Sequence, residues 1–139
     1  MRDELAKGNP ANRHLLKYSI FPGAFAVCRL PSDAPIPEWS LTGAFQHATR
    51  TPEELSVICP MEHVPDGMKA DGPWMCLKLA GPFAFLQTGV LASFLDPLAQ
   101  AWVPIFAVST YDTDYVFIKE EFYGIAFEAL RGAGHEIQP

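Results

Sequence analysis

From position 88 onward, Val90, Leu91, Phe94, Leu95, Leu98 and Trp102 recur three or four residues apart. That spacing gathers apolar side chains on one face of an α-helix. Thr88 is expected to cap its first turn, because a threonine hydroxyl can accept a free backbone N–H there. Pro97 lies inside the pattern, removes one backbone hydrogen bond and predicts a kink. A second helix is expected over about residues 121–133, with Phe122, Ile125, Ala126, Ala129 and Leu130 on one face and Gly132 and Gly134 at its end. Around these helices, WMCLKLA (residues 74–80), PIFAVST (104–110) and DYVFIKE (114–120) read as strands, and HEIQ (135–138) adds a short last one. Strand, helix, strand, strand, helix, strand is the split βαβ, ferredoxin-like order.

The first half is less regular. LLKYSIF (15–21) and AFAVCRL (24–30) flank Pro22-Gly23, which predicts a hairpin or a sharply bent strand. The proline-rich stretch at 31–43 can hold at most a short helical turn near residues 37–40. AFQHATR (44–50) and ELSVICP (54–60) are further strand candidates. MEHVPDGMKADGP (61–73) is rich in turn formers and reads as the module boundary. The expected organisation is an α+β chain: an arm at 1–13, a degenerate N-terminal module at 14–66 and a C-terminal ferredoxin-like module at 67–139.

In a ferredoxin-like sheet of strand order 4-1-3-2, the turn between the second and third strands lies at the same end as the start of the first helix. The turn at Tyr111–Asp114 and the helix start at Gln87, Thr88 and Gly89 should then lie within roughly 10 Å, given the spacing of neighbouring strands. A helix start offers unpaired N–H groups and partial positive charge, which favour a carboxylate. Gly89 lets such an anion approach the backbone without a Cβ in the way. Asp114 supplies the opposite charge, suited to an ammonium or guanidinium. The two poles match an amino-acid zwitterion. The plainer reading stays open: turn aspartates commonly cap their own backbone, and Asp112 fits that role better than Asp114.

Composition narrows the field. Hydrophobic residues make up 49% of the 139 residues, enough for a packed interior. The net charge is −6 and the basic residues are scattered, so nucleic acid is not an expected partner. No stretch has the 18 or so uninterrupted apolar residues of a spanning helix, and the start lacks the apolar run of a leader. Neither a membrane partner nor export is expected, and the chain reads as cytoplasmic. Cys28, Cys59 and Cys76 form no CxxC pair and read as buried reduced thiols. His14, His47, His63 and His135 show no ligand spacing, and the Asp112–Asp114 turn lacks the glycine and glutamate of a calcium loop, so no metal is expected. Neither a GxSxG elbow nor a phosphate loop is present, and no cofactor is expected.

The run from Gly81 to Glu121 carries a family likeness in Gly81-Pro82, Thr88-Gly89, Pro97-Leu98-Ala99, Ile105-Phe106 and Ser109-Thr110-Tyr111-x-Thr113-Asp114. It resembles the module of small bacterial tandem ACT-domain proteins and of the cytosolic arginine sensors of the eukaryotic growth-control pathway. TRTPEELSVICP (49–60) resembles the close of that family's first module. The resemblance covers about residues 45–135. It implies regulatory binding of a small ligand, an amino acid, at a module interface, without catalysis. By it, Gln87, Thr88, Gly89, Val90, Thr110, Tyr111 and Asp114 are the candidate ligand-binding residues. The sensors carry an acid where Gln87 stands and have four modules rather than two, so arginine as the ligand does not follow. ACT modules expose faces and edges that pair, which implies a homodimer. Two other readings are an interaction module that keeps the scaffold without a ligand, and a small hydrolase using the Asp112/Asp114 pair.

Overall fold

The structure is a computed structural model, and it describes residues 14–83 and 88–139. The expected arm at 1–13 lies outside the described residues. Strand β1 spans Lys17–Leu30, β2 His47–Arg50, β3 Leu55–Pro60, β4 Ala70–Leu79, β5 Ile105–Ser109, β6 Asp114–Lys119 and β7 Glu136–Ile137. Helix α1 spans Val90–Gln100 and helix α2 Tyr123–Gly132, with single 3₁₀ turns at Glu38–Ser40, Met61–His63 and Glu120–Phe122. The class is α+β and ferredoxin-like, as the periodicities predict.

The chain forms two compact units, named here for their place in the sequence. The central unit is Pro22–Cys76, and the terminal unit joins residues 14–21 to Leu77–Pro139. β1 and β4 run through both. In the central unit β3 pairs antiparallel with β1, from Phe25 opposite Pro60 to Leu30 opposite Leu55. β2 covers the other edge of β3, from His47 opposite Ile58 to Arg50 opposite Leu55. Alternation places Ala26, Cys28, Leu55 and Val57 on one buried face, against which Leu30, Ala34, Trp39, Val64 and Met68 pack.

In the terminal unit the strand order is β7-β1-β4-β6-β5. The expected order placed the last strand directly beside the module's first, β4. Instead β7 runs parallel to the start of β1, with Lys17 opposite Glu136 and Tyr18 opposite Ile137. The opening residues of β1 occupy the place next to β4, where Ala80 N–H donates to Lys17 O at 2.8 Å. β5 and β6 form an antiparallel hairpin, from Ile105 opposite Ile118 to Ser109 opposite Asp114. Phe94 and Leu98 of α1 and Ala126 and Leu130 of α2 are fully buried. Tyr18 meets the Phe94 ring edge-on at 5.2 Å.

Four local expectations differ from the structure. Of the two readings for Pro22-Gly23 the hairpin does not form: a single strand, β1, continues through it with Gly23 at a φ of 109°. β4 begins at Ala70, inside the stretch expected to be loop. Ile125, expected on the buried face of α2, is 53% exposed. Trp102 is 89% exposed rather than packed. The reason lies in how α1 ends. Trp102 N–H bonds Ala99 O, Val103 N–H bonds Leu98 O, and Trp102 takes a φ of 60°, which turns its indole away from the helix face.

Candidate functional site

The start of α1 and the β5–β6 turn line one cleft of about 270 Å³, entirely within the terminal unit. Gly89 and Val90 form one wall, and Thr110, Tyr111 and Asp114 form the other. The juxtaposition expected from the fold is therefore present. Thr88 is exposed and next to the lining, while Gln87 lies outside the described residues.

Gly89, not Thr88, is the N-cap of α1, with φ 79° and ψ −2° and no side-chain hydrogen bond to the helix start. Only glycine adopts that left-handed geometry without steric cost. No N-cap side chain therefore closes off the first turn, and Gly89, Val90, Leu91 and Ala92 border the cleft. Ser93 steadies the turn instead: its N–H and its hydroxyl both donate to Gly89 O, at 2.9 and 2.6 Å. His14 holds the other side, its N–H donating to Ser93 Oγ at 3.1 Å and its Nε2 lying 2.9 Å from Thr88 O.

The opposite wall is built from a turn whose hydroxyls serve the chain's own backbone. Thr110 Oγ1 donates to Thr113 O at 2.9 Å, and Thr110 N–H donates to the same oxygen at 2.8 Å. Thr113 is buried and its hydroxyl donates to Leu79 O at 2.8 Å, tying the turn to β4. Phe83 N–H donates to Asp112 O at 2.8 Å. Gly81 packs so closely behind this turn that a Cβ there would fall 2.9 Å from Asp112 O. The turn is therefore held from behind by β4 and the 81–83 segment.

That leaves the carboxylates. Asp112 is exposed and Asp114 half-buried, and neither forms an ion pair with a described residue. Asp114 Oδ1 accepts from Ser109 Oγ at 2.5 Å, which fixes the carboxylate in place, and among the described residues its second oxygen has no recorded donor. The described lining contains no lysine, arginine or histidine. Among the described lining residues, positive character comes from the helix start. Tyr111 stands at the rim, 78% exposed.

Of the expected ligand-binding residues, Gly89, Val90, Thr110, Tyr111 and Asp114 line the cleft, and Phe83, Ala92 and Ser109, which were not among them, line it too. Ser109 was within reach: an antiparallel hairpin pairs it with Asp114 directly. Elsewhere, Cys28, Cys59 and Cys76 are buried free thiols. Among the described residues no group of three or more His, Cys, Asp or Glu is arranged to hold a metal, and no helix is long and apolar enough to cross a membrane.

Comparison with known proteins fits this architecture. Residues 69–132 match the family model of the ACT domain, and residues 23–67 match a model of an N-terminal domain. A crystal structure of a protein from Agobacterium tumefaciens is 34% identical, with a TM-score of 0.85, covering 90% of this chain and 93% of that one. The chain belongs to the family of that Agobacterium protein, and its residues 69–132 are similar to the ACT domain. Two more distant structures share the fold. One is a protein of unknown function from Vibrio cholerae, described as a possible transport protein, at 18% identity and TM-score 0.70 over 87% of this chain and 91% of that one. The other is the ligand-free regulatory subunit of aspartate kinase from Thermus thermophilus, at 13% identity and TM-score 0.59 over 84% and 96%. No curated protein matches the chain.

Proposed function

We propose that this chain is a regulatory, non-catalytic protein that binds a free amino acid in the cleft between the start of α1 and the β5–β6 turn. The α-carboxylate meets the amides of the first turn of α1 beside Gly89, and the ammonium meets Asp114. Val90, Thr110 and Tyr111 enclose it beside Thr88, and Gln87 is the seventh residue of the proposed binding set. The single observation that carries this reading is the cleft itself, which sets an open helix start against an aspartate with no cationic partner among the described residues. The ACT-domain match and the likeness to a regulatory subunit of aspartate kinase support a regulatory role. The proposal includes a tandem of ACT-type modules dividing near residue 67, supported by the two abutting model matches. It also includes a homodimer, supported by β5 standing at the end of the strand order, and a cytoplasmic setting, which suits three buried free thiols.

The test is thermal melting against the twenty amino acids. At 100 times its dissociation constant a ligand adds about 2.7 kcal/mol. For 139 residues that raises the midpoint by roughly 9 °C. A second reading, a scaffold that meets other proteins and has no small ligand, is favoured by one observation: the Ser109 hydroxyl already holds Asp114 inside its own hairpin. Twenty flat melts support that second reading and defeat the first.

A further inference from the structure

Pro97 has no N–H to offer the carbonyl of Ser93, its partner four residues earlier in α1. His135 Nε2 lies 2.9 Å from that carbonyl oxygen. The other ring nitrogen, Nδ1, lies 3.0 Å from the backbone N–H of Leu16 in a buried contact. An N–H can only donate and a carbonyl can only accept, so the ring must be neutral with its proton on Nε2. The ring is 4% exposed and rests against Phe94, 5.3 Å between centroids. Its backbone is fixed as well, His135 N–H bonding Leu130 O and Glu136 N–H bonding Leu16 O. Ser93 in turn bonds Gly89 O with both its N–H and its hydroxyl.

We infer that His135 is a positioning residue for the cleft: its Nε2–H gives Ser93 O the hydrogen bond that Pro97 cannot, and so sets where the first-turn amides of α1 point. The inference rests on the cleft being a ligand site, but its geometry can be tested without a ligand. A link of this kind ties the cleft wall to the beginning of β1 and the approach to β7. Neither segment lines the cleft.

Nitrogen-15 resonances of the imidazoles in the whole chain give the first test. His135 is expected as the neutral Nε2–H form at neutral pH, and a proton on Nδ1 overturns the inference. Second, His135→Phe keeps a ring in the space and removes both hydrogen bonds. Hydrogen exchange at the amides of Ser93 and Phe94 should then quicken roughly tenfold, the scale of losing one internal hydrogen bond. Adding Pro97→Ala supplies an N–H from within the helix, so the double variant should return to within about twofold of the unaltered chain. A role confined to ring packing predicts no such rescue, and its absence overturns the proposal. Should His135→Phe fail to fold, the imidazole spectrum and the double variant still decide. The twenty amino acids separate the two claims. If none shifts the melt of the unaltered chain, the ligand reading fails and the exchange result stands on its own. A shift undiminished by His135→Phe overturns the positioning role.

Discussion

In the central unit, several polar side chains of the loops are held by the chain itself. Arg50 donates to the carbonyls of Ser32 and Ala34, Arg29 to that of Glu53, and Ser40 to that of Pro37. Thr51 accepts from the N–H groups of Glu53 and Glu54, and the Thr42 hydroxyl meets His63. The turn of the terminal unit begins in the same way, with Thr110 and Thr113 bonded to backbone oxygens. It differs in what is left over: two carboxylates and the amides of an uncapped helix start border one cleft. A charged loop residue is thus informative only once its own-chain partners are known. The guanidinium groups of Arg29 and Arg50 latch loops, whereas Asp114 is steadied by the Ser109 hydroxyl and lines the cleft.

The contrast is most sharply tested at Asp114. Asp114→Asn should weaken ligand binding by about 1.5–3 kcal/mol, the range for hydrogen bonds to charged groups, with little effect on the urea midpoint. Asp112→Asn should cost much less in the same calorimetric titration. Equal losses from the two break the assignment. Next comes the brace behind the turn. Gly81→Ala forces a Cβ against Asp112 O and Thr113 and should cost about 1–3 kcal/mol in urea unfolding, as overpacking does. Gly124→Ala is the control: a Cβ there meets nothing within 4 Å, and α2 should gain about 0.5–1 kcal/mol. A harmless Gly81→Ala means the turn is not braced from that side.

Arg50→Ala should cost about 0.5–1.5 kcal/mol of stability by removing exposed bonds to loop carbonyls, and leave the amino-acid response unchanged. A lost response would make the central unit part of the site. The smallest effect at neutral pH comes from the buried thiols. Burial pushes Cys76 up to about 12, and burial first, with Cys59 adding, pushes Cys28 up to about 11. In the unfolded chain these thiols ionise near their ordinary value of 9.0, so the folded state holds its protons longer. Their contribution is full below pH 9 and is lost as pH rises towards 11 and 12. Urea midpoints should fall across that range, and a flat profile would mean that the thiols are not sequestered.

Elements with a dense local period were legible in the sequence, and so was the meeting of loops that follows from their order. Val90, Phe94 and Leu98 recur every four residues, and all three are buried on α1. Gly89 and Asp114 could be brought together on paper because a ferredoxin-like order leaves their loops at one end. The period misled where it ran past the helix: Trp102 continues the spacing, yet a left-handed residue ends the face before it. Turn-forming residues misled as well, since Pro22-Gly23 and Asp71-Gly72-Pro73 lie within strands whose neighbours supply the pairing. Least legible was His135, whose partners Ser93 and Leu16 are 42 and 119 residues away. Pro97 marks the carbonyl that needs a donor, but nothing local names the histidine that provides one.

Of the three tryptophans, Trp102 stands in solvent at the end of α1, whereas Trp74 is only 8% exposed and Trp39 is half-buried, both in the central unit. Iodide should quench Trp102 and spare Trp74. One emission spectrum can therefore follow both halves of the molecule at once, with no dye attached.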